Sequence, residues 1–142
     1  MSIKFGGWVH GNALHVQDPL WPAFRQGFWT TVRPSNQNTS GWVHFAVPTP
    51  TVFEGANTKA GAVMLRFTTG PKASIEAIDV WNGENQIFHI DKTYKGKLQF
   101  VRETIPNQPE VQWGVGISIL VKFDGHGPET WIDLIGAGVD FF

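Results

Sequence analysis

The strongest structural signal in the chain is Trp113-Gly114-Val115-Gly116-Ile117-Ser118-Ile119-Leu120-Val121-Lys122-Phe123. Every second residue of this stretch is large and apolar, starting at Trp113 and ending at Phe123. Because successive side chains of a β-strand point to opposite faces, the pattern predicts a strand with one deeply buried face. The small residues on the other face predict a close neighbour, either a loop or bulge or, as the alternative, a ligand or partner backbone over the glycines.

The rest of the chain repeats this period of two. Further strand candidates lie at 5–16, 28–32, 42–47, 63–67, 75–81, 86–90, 98–105 and 131–142, with glycine, proline or asparagine between them. Asn82-Gly83 predicts a hairpin turn, and a change of phase near Ala77-Ile78 predicts a β-bulge. A set of about eight or nine short strands predicts an all-β fold, an antiparallel β-sandwich of the jelly-roll type. At 142 residues, the chain has the length of a single domain spanning 1–142.

Composition excludes several classes of function. Eleven basic and twelve acidic residues give a net charge of −1, so no strong field attracts a nucleic acid or an anionic membrane. The absence of cysteine excludes disulfides, thiolate metal sites and a cysteine nucleophile. No apolar run has the length of a membrane-spanning helix or a signal peptide. We therefore expect no nucleic-acid partner, no membrane insertion and a cytoplasmic location by default, with leaderless export as the alternative.

Two segments resemble elements of an uncharacterised family of small bacterial β-rich domains. They are Trp42-Val43-His44-Phe45-Ala46-Val47-Pro48-Thr49-Pro50 and Trp113-Gly114-Val115-Gly116-Ile117-Ser118, with Val80-Trp81-Asn82-Gly83 between them in the place of the family's middle hairpin. The resemblance covers residues 40–142. It implies a β-rich fold and assigns no catalytic or binding residue.

The sequence contains no complete set of metal ligands. His10 and His15 are five residues apart, so on one continuous strand their side chains would point to opposite faces. Asp79, Asn82 and Glu84 provide only part of the oxygen set that a calcium loop needs. We therefore expect neither a metal ion nor a cofactor.

Nothing in the sequence indicates catalysis. No serine lies in a nucleophile elbow, and no glycine-rich loop precedes a helix that could bind phosphate. Most of the twelve acidic residues lie beside turns. The chain is therefore predicted not to be an enzyme.

Tryptophan carries the remaining functional signal, with seven in the chain. Trp42 and Trp113 lie in strong strand patterns and are assigned to the core, whereas the other five lie near strand ends and loops. Exposed tryptophan beside short polar side chains is typical of sugar binding, so one hypothesis is a lectin-like recognition module. Its expected ligand-binding residues are Trp8, His10, Asn12, Trp81, Asn82, Asn85 and Trp131. Alternatively, these aromatic side chains cap the ends of the sandwich or form a protein interface.

The second hypothesis is a self-assembling structural protein. Low charge and many aromatic residues favour association. Phe5 and Trp8 near one end of the sequence, with Phe141 and Phe142 at the other, predict a homo-oligomer held by aromatic contacts. Docking of these residues onto their own sandwich is the alternative.

Overall fold

The computed structural model describes residues 2–142. The strands are β1 (Phe5–His10), β2 (His15–Val16), β3 (Ala23–Arg25), β4 (Thr30–Val32), β5 (Ser40–Val47), β6 (Val52–Phe53), β7 (Ala56–Asn57), β8 (Ala60–Thr69), β9 (Ala73–Asn82), β10 (Asn85–Tyr94), β11 (Gln99–Thr104), β12 (Val115–Phe123) and β13 (Ile132–Phe141). A single 3-10 turn, Gly11–Ala13, follows β1. Within residues 2–142, eight strands contain six or more residues and five contain two or three. No helix in this part of the chain is long and apolar enough to span a membrane.

Two antiparallel sheets form a sandwich, which confirms the predicted fold class. The front sheet has the order β10-β9-β12-β5-β2. The back sheet has the order β11-β8-β13-β4-β3, with β1 also paired to β13. β6 and β7 form a separate two-stranded sheet. From β8 to β13 the chain crosses repeatedly between the front and back sheets, as jelly-roll domains do.

The core forms where the inward sides of the two sheets meet. β12 contributes Val115, Ile117, Ile119, Val121 and Phe123, all buried as their alternation predicts. β8 contributes alternating apolar residues from the back sheet, such as Val63, Leu65 and Phe67. The period of two in the sequence therefore reflects burial between two sheets.

The prediction that Trp113 is buried is wrong, because its side chain is 61% exposed. β12 begins only at Val115. Just before it, the Trp113 backbone N–H donates to Asn82 Oδ1 at 3.1 Å. A Cβ added at Gly83 would lie 2.9 Å from Trp113 Cδ1, so the indole lies outside the sandwich against the hairpin turn.

The hairpin and the bulge are both confirmed. Asn82 pairs with Asn85 across the turn, and Gly83 has a φ of 56°, in the region that favours glycine. Between β12 and β9 the register shifts after the pair Leu120–Ala77. The extra residue at this point lies in β9, where the change of phase predicts it.

The C-terminal aromatic residues dock onto their own sandwich. Phe141 is fully buried, and the ring of Phe5 lies 6.2 Å from it. Phe142 exchanges two backbone hydrogen bonds with Lys59, and its ring covers Gly61. Both aromatic residues therefore have partners within the chain, as the docking alternative expects. The homo-oligomer stays a prediction.

Candidate functional site

A row of polar side chains crosses the outward side of the front sheet. The strand register places His89 beside Asp79, Asp79 beside Ser118, Ser118 beside His44 and His44 beside His15. Each of the five strands contributes one residue to this polar row. Because neighbouring residues on each strand point inward, the row is the outward counterpart of the core.

Hydrogen bonds orient the centre of the polar row. His44 Nε2 lies 2.6 Å from Gln17 Oε1, and His44 Nδ1 lies 2.7 Å from Ser118 Oγ. Because an amide oxygen only accepts, Nε2 carries the hydrogen and Nδ1 accepts from the Ser118 hydroxyl. The lone pairs of Ser118 Oγ then remain available to accept a hydrogen bond from a ligand.

The two histidines have opposite electrostatic environments. Burial, and then the nearby His15, lower the pKa of His44, so its ring is neutral at pH 7. Hydrogen bonds with Asp79 and then with Asp91 raise the pKa of His89. The Asp79 carboxylate is largely buried and contacts His89 Nδ1, while His89 Nε2 lies 3.0 Å from Asp91 Oδ2.

Two tryptophans lie on opposite sides of the polar row. Trp81 on β9 is the register partner of Gly116, and Trp42 on β5 is the register partner of Leu120. Both indoles are partly exposed. The depression between them has a volume of about 370 Å³ and is lined by Gln17, Trp42, His44, Asp79, Trp81 and Ser118. We call it the tryptophan groove.

The tryptophan groove continues over Gly114 and Gly116. An adjoining depression of about 460 Å³ includes both glycines together with Trp81, His44 and Ser118. A Cβ added at Gly114 would meet no atom within 4 Å, and one added at Gly116 would meet only Phe45 O at 3.9 Å. The expectation of a loop packed over these glycines is therefore wrong, and they leave open space on the sheet.

The seven predicted ligand-binding residues do not form one site. Trp81 lies in the tryptophan groove, whereas Trp8 and His10 lie on the outward side of the back sheet. Asn85 is exposed at the hairpin turn. Trp131 packs against Gly70, where an added Cβ would lie 2.7 Å from the indole.

Two predicted ligand residues have structural contacts instead. The Asn12 amide donates to Gln26 O at 2.8 Å and accepts from Thr30 Oγ1 at 3.0 Å. Asn82 is buried and bonds the segment before β12: Nδ2 donates to Gln112 Oε1 at 2.9 Å and Oδ1 accepts from Trp113 N. Both asparagines hold loops in place.

Trp42 and the polar row are functional candidates that the sequence alone does not identify. The prediction that Trp42 lies in the core is wrong, because its indole is on the outward side of β5, while Val43 and Phe45 are buried. The same alternation places His44 outward. The alternation of β5, with Val43 and Phe45 taken as its inward residues, is the sequence signal that predicts Trp42 and His44 on the outward side.

Residues 2–142 contain no group of three or more histidine or acidic side chains placed to hold a metal ion. Asp79, which belongs to the incomplete calcium set, contacts His89. Its partner in that pattern, Asn82, uses its amide within the chain.

Several solved structures share the fold. A xylan-binding module of family CBM86 from Roseburia intestinalis matches with a TM-score of 0.56 and 10% identity, covering 97% of this chain and 96% of that one. A family 29 carbohydrate-binding module has a TM-score of 0.51 and 11% identity, covering 96% and 93%. The exo-β-1,3-galactanase of Phanerochaete chrysosporium has a TM-score of 0.52 and 16% identity, covering 97% of this chain and 30% of that one.

No curated protein matches the chain in sequence. At 10–16% identity, the likeness to these three structures establishes the β-sandwich fold alone. The family model covers nearly all of the chain and agrees with the resemblance seen in the sequence. The chain belongs to the family of unknown function DUF6623, whose model matches residues 4–142.

Proposed function

We propose that this chain is a non-catalytic carbohydrate-binding module that binds a glycan chain in the tryptophan groove. The observation that carries the proposal is the polar row between Trp42 and Trp81. Indole rings offer flat apolar surfaces to the C–H faces of sugar rings, and short polar side chains bond the hydroxyls. Ser118 and Asp79 supply oxygen acceptors in the middle of the groove.

The lining of the tryptophan groove favours a neutral glycan. No lysine or arginine is among the residues that line either depression in the described chain. The Asp79 carboxylate is already in contact with His89 Nδ1. A ligand with carboxylate or sulfate groups would therefore lose hydration without gaining a cationic partner.

The length of the polar row sets the expected length of the ligand. Four strand spacings of about 4.8 Å give a row about 19 Å long, which is roughly four pyranose rings. Affinity is expected to rise with chain length up to about the tetrasaccharide and then to level off. The xylan-binding module that shares the fold supports a polysaccharide as the ligand class.

Calorimetric titration with xylo-, manno- and galacto-oligosaccharides tests the proposal. At least one series should bind, and Trp42→Ala and Trp81→Ala should each weaken that binding about tenfold or more, which is about 1.4 kcal/mol. Phe28→Ala is the control, because it removes an exposed aromatic ring between β3 and β4 of the opposite sheet. Unchanged affinity in both groove variants would contradict the proposal.

Self-assembly is the second candidate. It is favoured by the edge strand β3 of the back sheet, where Phe24 is 52% exposed and the nearby Phe28 is 57% exposed. Unpaired strand edges and exposed aromatic residues favour contacts between copies. Light scattering should show an oligomer that Phe24→Ser dissociates, and a monomer at high concentration would exclude this candidate.

A further inference from the structure

An indole lies flat on the outward side of the back sheet. Trp8 on β1 covers the two β13 glycines beside it, since a Cβ on Gly138 would lie 2.8 Å from Trp8 Cδ2 and one on Gly136 would lie 3.6 Å from Trp8 Cε3. The indole nevertheless remains 43% exposed. The two glycines therefore make room for one face of the ring and leave the other face open to solvent.

A second aromatic ring adjoins this indole, and an arginine that has no ion-pair partner in the described chain lies on the strand between β13 and β11. Phe100 on β11 is 53% exposed, and its ring stacks beside Trp8 at 6.2 Å and 29°. Arg66 on β8 is the register partner of Phe100 on one side and of Gly136, one of the two glycines under the indole, on the other. Among residues 2–142, Arg66 has no ion-pair partner, whereas Arg102 Nη2 lies 3.2 Å from Asp140 Oδ2.

We propose that Trp8, Phe100 and Arg66 form a second carbohydrate site, selective for a sugar residue that carries a carboxylate. The exposed indole provides a plane for the sugar ring. The guanidinium of Arg66 provides paired N–H donors that match a carboxylate. The site goes beyond the proposed function, because it lies on the opposite sheet and selects a charged ligand that the tryptophan groove does not favour.

The exposed area of the Trp8 and Phe100 rings favours a sugar over a second copy of the chain as the ligand. A fully buried aromatic side chain covers about 150–250 Å², and here two rings are about half exposed. A stable protein interface needs about 800 Å² on each partner. Charged side chains lie on the same strands as the two rings or beside them: Arg66 is the register partner of Phe100, and Arg102 pairs with Asp140.

Titration with hexagalacturonate, followed by tryptophan fluorescence and calorimetry, tests the second site. Wild type should bind, and Arg66→Gln and Trp8→Ala should each weaken binding about tenfold or more. Binding by wild type should also fall as NaCl is raised, because the carboxylate–guanidinium attraction is screened. The double variant Trp42→Ala/Trp81→Ala is the control and should bind hexagalacturonate like wild type.

The same variants separate failure of this site from failure of the tryptophan groove. Neutral oligosaccharides should bind Arg66→Gln normally, so loss of both ligands would indicate a folding defect, which thermal melting checks. If Trp8→Ala does not fold, Phe100→Ser provides a second test, because the Phe100 side chain is exposed. It should also weaken the binding of hexagalacturonate. Absence of hexagalacturonate binding, or a dimer in light scattering that Phe100→Ser dissociates, would overturn the proposal.

Discussion

Two glycines on outward sides of the sandwich have opposite roles, and valine distinguishes them. At Gly116 an added Cβ meets only a carbonyl oxygen at 3.9 Å, so Gly116→Val should fold and fill the tryptophan groove. At Gly138 an added Cβ meets Gly7 O and Trp8 at 2.8 Å, so Gly138→Val should lose about 1–3 kcal/mol of stability. Calorimetry should show weakened glycan binding for Gly116→Val with an unchanged or higher Tm. Normal binding by a folded Gly116→Val would place the ligand elsewhere.

His44 and His89 should give stability opposite dependences on pH. The folded state lowers the pKa of His44 below 6.5, so the unfolded state takes up more protons and stability falls as the pH drops through this range. The folded state raises the pKa of His89, so its stabilisation is present below pH 6.5 and is lost as pH rises through the raised value. The loss of Tm from pH 8 to pH 5 should be smaller in His44→Gln and larger in His89→Gln. Parallel changes in both variants would refute this assignment.

Adjacent residues on β12 should separate stability from binding. Ile117 is fully buried, so Ile117→Ala should cost about 2–5 kcal/mol in urea denaturation while leaving the tryptophan groove intact. Ser118 points outward, so Ser118→Ala should lower glycan affinity with a smaller cost of about 1 kcal/mol for its lost bond with His44. If Ile117→Ala lost affinity while still folded, or Ser118→Ala bound normally, the assignment of faces would be wrong.

The elements were predictable from sequence because their signals are local. Alternation within β12 identifies its buried side, Asn82-Gly83 identifies the hairpin, and the slip near Ala77 identifies the bulge. The polar row was not predictable, because it depends on which strands are neighbours and in what register. The prediction that Trp113 is buried was wrong for a related reason. The side chain of Asn82, at the end of β9, bonds the Trp113 backbone just before β12 begins.

At the scale of the whole molecule, Phe141 should stabilise the sandwich without controlling association. Its ring is fully buried beside Phe5, so Phe141→Ala should lose about 3–5 kcal/mol in denaturant unfolding. Light scattering of the folded fraction should give the same mass as wild type. Phe5→Ala is the control, because its side chain is 37% exposed and should cost less. A stable Phe141→Ala protein of lower mass would instead support aromatic contacts between copies.

The position of β13 also bears on how fast the chain folds. β13 lies between β8 on one edge and both β1 and β4 on the other, and Phe5 pairs with Phe141 across nearly the whole sequence. Closing so long a loop costs entropy before any contact repays it, so sheets of this kind fold in milliseconds to seconds. Until β13 is in place, the edge of β8 that it covers is open to strands of other chains. Aggregation during refolding should therefore compete with the pairing of β13 and β8.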